Sequence, residues 1–254
     1  HWDLFSNDEI RALCIDASVP VVLLSHEPGV EIFDEVDGFI SFAPNELPFA
    51  AQPVFCRVLP SWTPPRLTPR VELRSSLGLP LDALILGTNG FVRFERQWPT
   101  LLRSILPATA REGWFVELVS TPWREPSPGL LDELDELDRM YPDCFRYNAE
   151  PLSAVNLNYH LQACDLLWSW TRTESRPYAS GAVSDQYASG TRVFAAAKDQ
   201  YAPILKLPNS VAGPEVLPTF TDALIAEARR CANQRRVHGE VARHDPAPVS
   251  WDHF

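Results

Sequence analysis

Between residues 71 and 207 the chain alternates short apolar runs with segments of helical periodicity, and this alternation restricts the fold more than any other feature. Val71 to Leu77 reads as a helix, and Ala83 to Thr88 (ALILGT) as a strand buried on both faces. Pro99 to Leu106 follows as a helix, and Trp114 to Ser120 (WFVELVS) as a strand. Leu130 to Met140 is an acidic helix with leucines 130, 131, 134 and 137 on one face, and Ser153 to Cys164 is helical. Asp165 to Trp170 (DLLWSW), Arg192 to Ala196 and Pro203 to Leu207 read as strands, and Phe220 to His238 as a basic-ended helix. Strands that are apolar throughout belong in a parallel sheet covered on both sides. The expectation is an α/β fold with a doubly wound, Rossmann-like domain whose ligands sit beyond the carboxyl ends of its strands. Three polar loops fall there, Asn89 to Arg96, Ser120 to Glu125 and Thr171 to Gly181, and they are expected to converge on one crevice.

Ahead of this domain lies a smaller piece. Ser6 or Asn7 caps a helix running to Cys14; Val19 to Leu24 (VPVVLL) and Gly38 to Phe42 read as strands. That is a partial α/β domain over residues 1–62. PSWTPPRLTPR, with four prolines in eleven positions, supplies a linker at 63–70. The large domain then spans 71–238 and a tail spans 239–254. The chain opens on His1 without an initiator methionine, which fits removal of an upstream segment.

A net charge of -11 argues against a general nucleic-acid or anionic-membrane surface, since each needs a basic footprint. The five cysteines are scattered without a CxxC pair, as expected of reduced core thiols in a cytoplasmic protein. There is no apolar run long enough for a membrane span.

The chemistry concentrates in YASGAVSDQYASGTRVFAAA, Tyr178 to Ala197. Ser180-Gly181 leads directly into a helix, whose first amides, including those of Ala182 and Val183, and positive dipole end suit an anion. Gly181 allows close backbone approach, and the Ser180 and Ser184 hydroxyls can add hydrogen bonds. Asp185 stands one turn inside, where its carboxylate can reach ribose hydroxyls. Arg93 and Arg96, directly after a buried strand and close to Gly90, provide guanidinium forks for a diphosphate. Arg172, Glu174 and Arg176 face the same opening. A glycine-rich dinucleotide fingerprint and a P-loop are both absent.

In this order the residues resemble the carboxyl-terminal half of a GT-B glycosyltransferase, nearest the retaining family-four type. Leu77-Gly78-Leu79-Pro80 followed by ALILGTNGFVRFERQ is similar to the start of that family's nucleotide-sugar domain, with Arg96 at the place of its phosphate-binding lysine. The family's earlier loop arginine falls at Phe91, with Arg93 two residues beyond. Cys164-Asp165-Leu166-Leu167-Trp168 resembles the strand before the donor loop, and Asp185 with Gly190-Thr191-Arg192-Val193 resembles the helix and strand after it. His26, after VPVVLL, matches the post-strand histidine of the acceptor domain, and the closing Ser250-Trp251 matches the tail that crosses back to it.

The resemblance implies transfer of a sugar from a nucleoside-diphosphate donor such as a UDP-sugar, with retention and without a bound metal or cofactor. The acceptor stays open. One departure matters: the family's paired glutamates would need Glu at 177, which is Pro177, and Asp185 is one methylene short of the second. A catalytically degenerate module that binds a nucleotide sugar or a partner protein therefore stands as the alternative, ahead of another doubly wound domain such as a sugar-phosphate epimerase.

Overall fold

The computed structural model describes residues 22–25, 38–41, 54–56, 67–122, 129–172 and 180–245. Two parallel sheets are present. A three-stranded sheet joins β1 (Val22–Ser25), β2 (Gly38–Ser41) and β3 (Val54–Cys56) in that order. The sequence shows β1 and β2 as continuous apolar runs; β3 it does not show.

The larger sheet has six strands: β4 (Ile85–Val92), β5 (Phe115–Pro122), β6 (Phe145–Asn148), β7 (Leu166–Ser169), β8 (Arg192–Ala196) and β9 (Ser210–Gly213). Their spatial order is β6-β5-β4-β7-β8-β9, all parallel. The chain thus starts in the middle, winds outward to β6, returns to β7 beside β4 and winds outward the other way. This is the doubly wound Rossmann arrangement, and its switch point lies between β4 and β7. Leu86 pairs with Leu166 and Gly87 with Leu167 there. Gly87 has no room for a side chain: a Cβ would stand 2.4 Å from Cys164 Sγ and 2.8 Å from Leu167 Cδ2.

Helices cover both faces. On one side lie α1 (Arg70–Leu77), α4 (Ala154–Ala163) and α5 (Gly181–Ala188); on the other lie α2 (Trp98–Glu112), α3 (Leu130–Met140) and α7 (Leu217–His238). The strands' period of two divides the core accordingly. Ile85, Phe115 and Leu167 pack with Leu73 of α1 and Leu161 of α4. Leu86, Val116, Leu118, Leu166 and Trp168 pack with Leu101, Leu102, Leu134, Leu137, Phe220 and Leu224. Each such side chain contributes roughly 1.5–3 kcal/mol when fully removed from water.

Some elements differ from the sequence reading. β4 continues past Thr88 through Val92, so Asn89 to Val92 are strand and only the turn Phe94–Arg96 remains loop. α2 passes through Pro107, because Ile105, Leu106, Ala108 and Thr109 on either side are buried against the sheet. Residues 203–207 do not form a strand. They belong to a 3-10 turn (Asp199–Tyr201) that runs into α6 (Ala202–Leu205), which has proline in its first turn, where the missing N–H costs nothing. The last strand is β9 instead. Among the described residues no helix is long and apolar enough to cross a membrane.

The proposed linker ends at Arg70, which opens α1 and is buried, with Nε donating to Cys164 O at 3.0 Å and Nη1 to Val241 O at 2.6 Å. The capping helix at residues 6–14 and the tail carrying Trp251 lie outside the described residues.

Candidate functional site

The carboxyl end of β4 closes on Gly90. Its φ of +136° is a conformation that L side chains rarely adopt, and Ser120 Oγ on β5 donates to its carbonyl at 2.8 Å. The chain then turns through Phe94–Arg96, and Gln97, at φ 46°, leads into α2. This tight turn sends the Arg96 side chain back over the strand end. A Cβ placed on Gly90 would lie 3.3 Å from Arg96 Nη2 and 3.6 Å from the Ala182 Cβ of α5. The guanidinium and the helix start therefore face each other across the glycine, within about 7 Å.

Arg96 is held from the far side by Tyr201, a fully buried side chain whose hydroxyl accepts from Nη1 at 3.4 Å. The same turn after β8 holds the start of α5: Ser180 N donates to Gln200 O at 3.0 Å. Ser184 N makes the first intrahelical bond, to Ser180 O at 3.0 Å. The amides of Gly181, Ala182 and Val183 come before it and point out of the helix end. Gly181 is exposed, and a Cβ there would meet no described atom within 4 Å.

One buried amide sets the direction of α5. Gln186 Nε2 donates to Asn89 Oδ1 at 2.9 Å and to Trp168 O at 3.1 Å, and its Oε1 accepts from Ser169 Oγ at 3.2 Å. The helix is thus tied to β4 and β7 on either side of the switch point, with the Ala182 methyl of its first turn beside Gly90.

The other predicted residues separate. Arg93 stands 5.5 Å over the Phe91 ring, and Arg172 stands 4.6 Å over the ring of Phe94. The loops still meet, because Arg172 N donates to Glu95 O at 2.7 Å. The Ser184 hydroxyl donates back to Ser180 O at 3.0 Å, and Val183 is fully buried, its amide included. Asp185 is half-buried in the middle of α5. His26, Glu174, Arg176 and Pro177 lie outside the described residues, as does the loop beyond Pro122.

Two residues at the crevice are absent from the sequence reading. Tyr201 is one; Lys198 is the other, buried after β8 with its Nζ 5.7 Å from the Trp170 ring. Burial pushes the Lys198 ammonium below the usual lysine range, with Glu215 pulling the other way. Both lie within five residues of the end of β8, much as Arg96 lies four beyond β4. Among the described residues no group of three or more His, Cys, Asp or Glu side chains is placed to hold a metal ion.

Solved structures share this fold at low identity. Anabaena HepE in complex with UDP-glucose superposes with a TM-score of 0.61 at 13% identity, covering 90% of this chain and 66% of that one. The same protein in complex with UDP and glucose gives 0.58 at 14%, with the same coverage. WaaG, a glycosyltransferase involved in lipopolysaccharide biosynthesis, gives 0.54 at 14%, covering 84% of this chain and 57% of that one.

The fold is GT-B-like. The chain spans less than two thirds of the length of these solved proteins. No family model and no curated protein sequence matches it. Within the GT-B-like fold, the Gly90 corner occupies the carboxyl edge of the sheet at the switch point, the position where doubly wound sheets bind ligands.

Proposed function

We propose that the chain is a glycosyltransferase that takes a sugar from a nucleoside-diphosphate donor, and that the Gly90 corner holds the diphosphate. The observation that carries this reading is the placement of the Arg96 guanidinium and the first turn of α5 on the same glycine, Gly90. A diphosphate there receives a fork of N–H donors from one side and the positive helix end from the other. Both are in position before reaction, so negative charge growing on the leaving group is stabilised without rearrangement. On this reading the basic side chain and the helix do what a divalent cation does in other transferases, and no metal is required. Asp185 is assigned to the ribose and His26 to the sugar or acceptor side. Transfer with retention follows from the resemblance to the family-four enzymes, and uridine diphosphate is the first base to try because the HepE structures contain UDP and UDP-glucose.

The test is titration calorimetry with UDP and UDP-glucose on the full chain and on Arg96→Ala. A charge-assisted hydrogen bond contributes about 1.5–3 kcal/mol, so affinity should fall roughly 10- to 100-fold. Equal affinity in the two proteins would remove Arg96 from the site and the reading with it. Donor binding without hydrolysis or transfer under any acceptor would instead assign the chain to the binding-module alternative, for which Pro177 speaks.

A further inference from the structure

At the opposite edge of the six-stranded sheet a cavity of about 550 Å³ opens between α1 and the end of α7. Arg70, Arg74, Arg235 and Arg243 line it together with Asp165 and Glu240. It lies well away from the Gly90 corner: Asp165 Oδ2 accepts from Ile85 N at 2.9 Å, at the start of β4, and the five residues from there to Gly90 span about 17 Å.

Most guanidinium donors here serve the fold. The carboxyl end of α4 is capped by three of them: Arg243 Nη2 donates to Gln162 O at 2.9 Å, Arg74 Nε to Ala163 O at 2.9 Å and Arg70 Nε to Cys164 O at 3.0 Å. That pattern suits the negative end of a helix. Arg74 Nη2 also pairs with Asp165 Oδ2 at 2.6 Å, and Arg235 reaches the carbonyls of Leu81 and Ala83.

What the fold leaves over is specific. Four guanidiniums face two carboxylates, and the Glu240 side chain is 70% exposed and 3.8 Å from Arg70, so it offsets little. Two buried N–H groups, Arg70 Nη2 and Arg243 Nε, have no partner among the described residues, although Arg70 is only 7% exposed. A buried donor without an acceptor is costly, and a cationic cavity in a chain of net charge -11 is a place where an acceptor would come from outside. Burial and the neighbouring Arg70 push the Arg243 guanidinium down to about 10, and burial likewise lowers Arg70, as expected for cations short of counter-charge.

From these contacts we infer that the cavity is a second anion site, built for a phosphoryl group that supplies the counter-charge its four lining guanidiniums lack. Its volume falls in the range of roughly 300–1,000 Å³ that small-molecule ligands occupy, so the class is a small phosphorylated metabolite and not a bare ion.

The probes are inorganic phosphate and pyrophosphate, titrated into the full chain carrying Arg96→Ala so that the crevice is weakened. Melting temperature and calorimetry are read against chloride at equal ionic strength. Phosphate should raise the melting temperature saturably in Arg96→Ala as in the unsubstituted chain. Glu240→Gln, which removes an opposing charge from an exposed side chain, should tighten binding two- to threefold, and Arg243→Gln should weaken it at least tenfold. Tighter binding of pyrophosphate or of a phosphorylated sugar than of phosphate would place the phosphoryl group on a larger molecule. Loss of the response in Arg96→Ala, an equal response to chloride, or affinity unmoved by Arg243→Gln would each overturn the assignment.

Discussion

Replacing Asp165 by asparagine should cost this protein more stability than almost any other isosteric change. The carboxylate is 1% exposed and lies 2.6 Å from Arg74, 3.7 Å from Arg70 and 3.8 Å from Arg235. The amide oxygen of asparagine can still accept from Ile85 N, so the backbone contact at the start of β4 survives. What disappears is the charge, which leaves Arg74 and Arg70 buried without their counter-ion. Breaking a buried pair from one side costs about 3–5 kcal/mol. For a unit of this size that is a fall in melting temperature of roughly 6–20 °C. Urea unfolding followed by far-UV circular dichroism and tryptophan fluorescence would measure it, and the midpoint should drop while the slope stays constant. Salt should recover little of the loss, because screening is weak at buried groups. Phosphate should recover part of it if the neighbouring cavity takes anions. A loss below about 1 kcal/mol would mean that the carbonyl bonds of the arginines, and not Asp165, hold their charge in place, and the account of the cluster would fail.

Three further outcomes are expected. Gly90→Ala forces an L side chain to φ +136°, at a cost of about 1–3 kcal/mol, and crowds the Arg96 guanidinium; melting and UDP titration should both show it, and an unchanged melting temperature would contradict the backbone argument. Tyr201→Phe removes the hydroxyl that accepts from Arg96, so UDP affinity should drop about 2- to 10-fold with little change in stability; an unaltered affinity would show that Arg96 positions itself. His244 is neutral by geometry, its Nε2–H donating to Tyr187 O at 2.9 Å and its Nδ1 accepting from Asn209 Nδ2 at 3.3 Å. Burial, opposed by the Tyr187 bond and by Asp245, holds its folded-state value below the usual 6.5. Its contribution is therefore complete above about pH 6.5 and lost as pH falls through the folded value. His244→Gln should flatten that slope, and an unchanged pH profile would refute the assignment.

The interior strands were legible because burial on both faces writes itself as an unbroken apolar run: ALILGT, DLLWSW and RVFAA each mark one. Of the large sheet, the strands missed, Phe145–Asn148 and Ser210–Gly213, are its two edges. An edge strand is short and only partly covered, so its residues carry no comparable signature. Residues 203–207 misled for the opposite reason, since a short apolar run fits a buried helical turn as well as a strand. At the crevice, Arg96 and Ser180-Gly181 could be found because each follows a strand along the chain. Lys198 and Tyr201 follow one too, but their place beside Arg96 and Trp170 depends on a 3-10 turn that has no sequence signature of its own. Asp165 had only its resemblance to speak for it; the partners that give it a task, Ile85 and Arg74, are 80 and 91 positions distant.

Arg243 donates to Thr68 O at 2.6 Å, so the segment that leads into the six-stranded unit and the segment that leaves it run side by side. Units whose two ends are neighbours tolerate being reordered. A permutant that joins residue 245 to residue 67 through a brief glycine-serine bridge, and opens in the exposed turn near Asp82, would keep every strand pairing of this sheet. The doorway shared by those two segments is what would let the sheet be cut at one place and closed at another with its strands undisturbed.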